Sequence, residues 1–352
     1  MKSIIHERPG VYSSYDASAS VWGGRAVRTI GVAAKSVSGT ANTAVRLTSY
    51  EMGLSAFGED KAGAPGMSAI LRLLFLGGAS TVVAVRVDGG DYAAAFAALQ
   101  AAEDVQIVVC DSGELAVQQT LRASLDSAYA ARRERIAVVG MSGASTAKLA
   151  ERAKTLNSER MALVGPDVLD STGAALPGIF AAAAVAAAIA ATRDPAIPLN
   201  GTQLPGLGGV SENYGDNEID LLVRGGVTPL EAVGGVVSPV RGITTRTTTG
   251  GADDATWREL TTILIVDDVI PTIRQSLRSR FSQTKNTAQT RGAIRSQTIV
   301  ELESKLRAEI IDSYSDVAVS VCEDDPTVCL VEFSFSVAHG LNQIYLTAHI
   351  TI

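Results

Sequence analysis

Val105-Gln106-Ile107-Val108-Val109-Cys110 and Arg135-Ile136-Ala137-Val138-Val139-Gly140 frame one helix-length stretch, Glu114 to Arg132. Both runs are short and almost wholly apolar. They are rich in β-branched residues and do not alternate with polar ones. That pattern marks strands buried on both sides, as in a parallel sheet covered by helices. Working outward, the same alternation repeats. Val27–Ala33, Thr81–Val87 and Arg160–Gly165 read as further buried strands. Gly66–Gly77, Tyr92–Ala101 and Thr146–Leu156 carry apolar residues at helical spacing. Pro177 to Thr192 reads as an Ala-rich helix with Pro177 near its first turn. Strand-helix alternation predicts a doubly wound α/β unit with right-handed crossovers.

Beyond Asp194-Pro195 the pattern loosens. Residues 195–251 are rich in Gly and Pro, and Thr244–Gly251 reads as an exposed loop or hairpin. From Trp257 it changes again. An apolar run, Leu260–Val266, precedes two predicted helices, Asp268–Phe281 and Arg291–Tyr314. Three predicted strands follow: Val317–Cys322, Val328–Val337 and Leu341–Ile352. Helices followed by antiparallel-looking strands indicate a separate α+β domain. The expected division is an arm at 1–24, a central α/β domain at 25–255, an α+β domain at 256–340 and a final strand at 341–352.

The two ends share a property. Ile344, Leu346, Ala348, Ile350 and Ile352 alternate with Tyr345, Thr347, His349 and Thr351. This is the period-two signature of a strand with one buried face. The opening carries Ile4, Ile5, Pro9, Gly10, Val11, Tyr12 and Tyr15, a β-prone extended arm. Chain ends fray unless tied down, and an edge strand invites a partner. Two such ends predict a chain that links to copies of itself.

Chemistry is sparse. The 352 residues include three histidines, His6, His339 and His349, and none lies between Val27 and Thr192. A Ser-His-Asp or Cys-His site within the α/β layer is therefore excluded. No G-x-S-x-G elbow, no G-x-x-x-x-G-K-[ST] loop and no G-x-G-x-x-G occurs. Gly206-Leu207-Gly208-Gly209 reads as a plain turn. Asp267-Asp268 reads as the capped start of a helix, and Asp324-Asp325-Pro326 as a hairpin turn. Asp253-Asp254 has no catalytic context. No catalytic, cofactor-binding or metal site is expected, and no cofactor. Cys110, Cys322 and Cys329 form no framework; six residues separate the last two, in two apparent strands, so a bridge between them is conceivable, but the odd count favours reduced, buried thiols. The net charge of -7 argues against a general nucleic-acid footprint. The most apolar stretch, Ile179–Ala191, falls short of the roughly 20 residues that span a membrane. The start lacks the apolar core of a signal peptide, so folding in the cytoplasm of the producing cell is expected. One charge feature stands out. From Asp268 to Glu301 there is no acid, while Arg274, Arg278, Arg280, Lys285, Arg291 and Arg295 accumulate. The run is either a solvated helical face or a surface that docks on an acidic partner. Only Phe281 is aromatic within it, which disfavours nucleic acid.

Glu7-Arg8-Pro9-Gly10-Val11-Tyr12 resembles the opening arm of contractile tail sheath proteins of myoviruses, R-type tailocins and related injection systems. Glu159–Pro166 and the Ala-rich helix after it resemble that family's central domain, as does Asp194-Pro195-Ala196-Ile197-Pro198-Leu199-Asn200-Gly201. Gly225–Pro229 and Val240–Thr245 resemble its later strands, and Asp267–Phe281 the first helix of its C-terminal domain. The resemblance implies a subtilisin-like but non-catalytic central domain and a C-terminal domain facing an inner tube. It implies terminal arms that enter neighbouring subunits by β-augmentation. The implied partners are the chain itself in a helical homopolymer of stacked rings, the inner tail tube protein, and baseplate and tail terminator proteins. Neither nucleic acid nor membrane insertion is implied. The implied location is a virion tail or tailocin particle assembled in the bacterial host. The arms would be Pro9, Gly10, Val11 and Tyr12 with the Ile344–Ile352 row, and the acid-free basic run would be the tube-facing surface. The chain is short for the family and reads as a near-minimal sheath. Two other readings of the residues stay open: an α/β enzyme or small-molecule binder forming a discrete oligomer, and another self-assembling shell or filament protein.

Overall fold

The computed structural model describes residues 28–61 and 64–342. In chain order the elements are β1 (Thr29–Ala34), β2 (Ala44–Leu47), α1 (Tyr50–Phe57), α2 (Met67–Leu76), β3 (Val82–Arg86), α3 (Tyr92–Gln100), β4 (Val105–Cys110), α4 (Leu115–Ala130), β5 (Ile136–Gly140), α5 (Thr146–Leu156), β6 (Met161–Gly165), β7 (Val168–Asp170), β8 (Ala175–Leu176) and α6 (Gly178–Ala191). Then come β9 (Leu207–Val210), α7 (Asp216–Arg224), β10 (Val227–Val233), β11 (Val236–Pro239), β12 (Thr248–Thr249), β13 (Ala252–Asp253), α8 (Leu260–Phe281), α9 (Ala288–Arg307), β14 (Ile311–Val321) and β15 (Cys329–Val337).

Eight strands make one sheet in the order β11-β10-β6-β5-β4-β1-β3-β2. The inner six run parallel, and β2 and β11 close the edges antiparallel. Every residue of β1, β5 and β6 is buried, as their unbroken apolar runs require. One face of the sheet packs against α1, α2, α6 and the first turn of α8; the other packs against α3, α4, α5 and α7. The α6 helix is buried from Gly178 to Ala190. Its small side chains let it lie close to the sheet. At its start a Cβ on Gly140 would stand 2.1 Å from the Gly178 carbonyl oxygen, so the end of β5 admits only glycine there.

The C-terminal half has its own core. Ile265, Val269, Ile273 and Leu277 of α8 meet Leu302 of α9 and Ile311, Val317 and Val337 of the hairpin β14–β15. Leu260, Ile263 and Leu264 belong instead to the α/β core. The α8 helix thus straddles both units.

Several expectations are corrected. Leu260–Val266 is not a separate apolar run, and Asp267-Asp268 do not begin a helix. Both lie inside the 22-residue α8, which also contains Pro271. The α9 helix stops at Arg307 rather than Tyr314, because Glu309 adopts φ +50° and Ile311 enters β14. The region 195–251 is more ordered than its Gly and Pro suggest. It supplies α7 and the strands β10 and β11, which extend the main sheet. Gly206–Gly209 is not a plain turn, since Leu207–Val210 pairs with β7. Thr248–Thr249 and Ala252–Asp253 do form a hairpin, but Thr244 and Thr245 are fully buried. The Thr245 amide donates to the Met161 carbonyl at 2.7 Å.

Candidate assembly surfaces

Open α/β sheets bind ligands in the crevices beyond the carboxyl ends of their strands. Here those crevices are filled by the chain itself. Between β1 and β4, Asp111 accepts from the Lys35 amide at 2.8 Å and from the Tyr92 hydroxyl at 2.6 Å. Burial and the Asp111 carboxylate both push the Tyr92 pKa up. Beside β4 and β5, the buried Gln118 donates to the Gly140 carbonyl at 2.9 Å and accepts from Arg152 at 2.8 Å. At the start of α6, where an anion would bind, Asp167 accepts from the amides of Gly143 and Gly178. Among the described residues the two best-formed cavities measure about 10 Å³ and about 20 Å³. Ligand pockets are of the order of 300–1,000 Å³.

The opposite rim of the sheet carries a different construction. There α8 is laced to the layer by ion pairs. Arg160, 2% exposed, forms a two-pronged contact with Asp267 at 2.7 and 2.9 Å. Its guanidinium also lies 4.5 Å from the centre of the Tyr129 ring. Burial raises the Asp267 pKa, against the attraction of Arg160. Arg274 pairs with Glu134 at 2.6 Å, and Lys305 of α9 pairs with Asp268 at 3.0 Å. Spacing gave no hint of these pairs. Arg160 and Asp267 are 107 positions apart, and only the fold brings them together.

The acid-free basic run divides accordingly. Arg274 is corrected: it is tucked against Glu134 and is not part of an open surface. Arg291 is half-buried and donates to Asn286 at 3.0 Å. Arg278, Arg280, Lys285 and Arg295 are exposed, although Arg295 also donates to the Val317 carbonyl at 2.8 Å. The fold adds acids that the linear run lacks. Asn286 donates to the Pro326 carbonyl at 2.8 Å, which brings the exposed Glu323, Asp324 and Asp325 to the same end.

Among the described residues, β14 and β15 form a sheet of only two strands, so each has one unpaired edge. One face is covered: Val331, Phe333 and Phe335 pack on the C-terminal core, with the two rings 5.6 Å apart. A two-stranded sheet is marginal by itself, and added strands would complete it. The arm residues Pro9, Gly10, Val11 and Tyr12 and the row Ile344, Leu346, Ala348, Ile350 and Ile352 lie outside the described residues. All three thiols are free. Burial pushes Cys110 up to about 12. Cys322 and Cys329 are half-buried rather than buried. Val321 pairs with Cys329, so Cys322 and Cys329 fall on opposite faces of the hairpin.

Residues 86–245 match the phage tail sheath protein central domain, and residues 252–351 match the phage tail sheath C-terminal domain. The chain belongs to the phage tail sheath family. A tail sheath protein is a structural subunit and not an enzyme. The tail sheath protein of Bacillus phage SP01 is 30% identical over 224 residues, covering 62% of this chain and 38% of that protein. The match therefore spans less than half of that sheath protein's length. Solved sheath structures share the fold. The sheath tail protein of Desulfitobacterium hafniense superposes with a TM-score of 0.70 at 13% identity, over 94% of this chain and 100% of that one. The contracted sheath complex of the extracellular contractile injection system PVC gives 0.74 at 15% identity, over 99% of both chains.

Proposed function

We propose that this sheath protein polymerises head-to-tail around an inner tube as an extended, metastable helix, and contracts to drive the tube through a cell envelope. The observation that carries this reading is the pair of domain matches, which follow one another along the chain as the two halves of a sheath subunit. A heterologous contact that does not close into a ring gives such a filament. Contraction then repacks rigid bodies into a second set of contacts, and the energy resides in the difference between the two packings. The lacing of α8 to the sheet supports a subunit that moves as one body.

In this reading the central α/β domain is subtilisin-like and extends over 25–255, with the α+β domain at 256–340. The arm at 1–24 and the strand at 341–352 add strands to the sheets of neighbouring subunits. The unpaired edges of β14 and β15 suit that role, since main-chain bonds supply strength and alternating side chains fix register. Chains lacking residues 2–20, or lacking Leu341–Ile352, should fold with unchanged circular dichroism and stay as single subunits. Normal-length tubes from either truncation, seen by negative-stain electron microscopy, would refute strand exchange.

The tube partner meets the exposed basic group Arg278, Arg280, Lys285 and Arg295, with Arg291 at its margin. Baseplate and terminator proteins cap the two ends of the polymer, and the particle is a phage tail, tailocin or related injection system. Reversing charge at Arg278, Arg280 and Lys285 should reduce co-sedimentation with inner tubes several-fold at low salt, since exposed charges are screened as salt rises. Equal co-sedimentation of the wild-type and reversed chains would remove this surface from the account.

A further inference from the structure

The first and last described residues are held by one short piece of backbone. Arg28, just before β1, is buried, and its Nη1 donates to the carbonyls of Ile189 and Thr192 at 3.1 and 2.8 Å. These carbonyls end α6 and have no helical donor, so the guanidinium caps them. Burial lowers the Arg28 pKa, while Asp268, Asp267 and Asp194 oppose that loss of charge. The next residues hold the other end. Asp194 accepts from the Ala196 amide at 2.9 Å and forms the turn that leads to Pro198. Ala196 and Ala338 both pack on the C-terminal core. A Cβ on Gly340 would stand 2.8–3.1 Å from three atoms of the Pro198 ring. Asn200 donates to the Asn342 side chain at 2.8 Å.

We infer that residues 189–200 are a common anchor for the first and last described residues, Arg28 and Asn342, so that load on either terminal segment enters the subunit at the same place. The inference rests on the reading above, in which the terminal segments join neighbouring subunits. A pull transmitted from one neighbour to the next would then be shared by the end of α6 and the turn after it. The Asp194 carboxylate stands between the two holds in the chain: it forms the turn that leads to Pro198, two residues beyond the Thr192 carbonyl that Arg28 caps.

Hydrogen exchange of the full chain tests this without requiring polymerisation. Asp194→Ala should speed exchange about tenfold, or about 1.4 kcal/mol, in peptides covering 28–34 and 338–342 together. Strands β5 and β6 should be unchanged. Loosening of only one end, or of neither, overturns the common anchor. If β5 and β6 also lose protection, the variant has unfolded and a reciprocal pair decides. Arg28→Ala must then speed exchange at 338–342, and Asn200→Ala must speed it at 28–34; independent responses overturn the inference. A chain that forms no tubes yet shows the coupled response would refute the proposed function and leave the anchor intact.

Discussion

Asp267→Ala is expected to destabilise the chain by about 3–5 kcal/mol, because it leaves the Arg160 guanidinium buried and without its carboxylate. The pair is well placed for so large an effect. Arg160 is 2% exposed and Asp267 13%, and two hydrogen bonds run between them. The Arg135 carbonyl accepts from Nη1 at 3.1 Å and the Tyr129 ring lies alongside, but neither carries a negative charge. Replacing both partners with apolar residues of similar size, Arg160→Met with Asp267→Leu, should recover most of the loss, since the desolvation cost of both charges disappears with them. Urea unfolding of the single and double variants measures the difference. A single variant within 1 kcal/mol of wild type would show that water reaches the pair, and that α8 is not laced to the sheet as described.

Gly140→Ala is expected to cost about 3 kcal/mol or more, through overpacking against backbone rather than side chain. The new Cβ would stand 2.1 Å from the Gly178 oxygen and 2.3 Å from its carbonyl carbon. A flexible side chain could swing away, but the first turn of α6 cannot. It is held by Asp167 through the Gly178 amide and is buried along the helix. The control is Gly292→Ala in α9, where nothing lies within 4 Å of an added Cβ. There the same change should stabilise by about 0.5–1 kcal/mol, because alanine is the better helix former. Opposite signs in melting temperature are the expected result. A neutral Gly140→Ala would mean that α6 does not press on β5.

These two sites also show what the sequence could reveal. The parallel strands were legible because burial on both faces leaves continuous β-branched runs, and 105–110, 136–140 and 161–165 have no other reading. The α6 helix was legible from its alanines. The α8 helix was misread for a physical reason. Two acids and Pro271 after an apolar run imitate a helix start, where capping, dipole and proline all favour them. Their true partners, Arg160 and Lys305, are 107 and 37 positions away, beyond the reach of any local pattern. Pro229 hides strand β10 from a reading of the residues alone, and only the family resemblance of Gly225–Pro229 points to a strand there. The proline is tolerated where β10 pairs with β6, opposite Gly165, while its carbonyl still accepts from Val240. The basic run was legible as charge but not as surface. The fold withdraws Arg274 into an ion pair and brings Glu323, Asp324 and Asp325 alongside the others.

The carboxyl-end crevices of the sheet, where an α/β enzyme would work, are closed by Asp111, Gln118 and Asp167. The distinctive construction lies at the other rim, where charged pairs join the two halves of the subunit. That distribution suits a part that must transmit force between neighbours while keeping its own shape. The most direct measurement is negative-stain electron microscopy of the purified full-length chain, alone and with inner tubes. The account predicts hollow helical tubes, lengthening with subunit concentration. A single discrete oligomer at every concentration, with or without tubes, would contradict it.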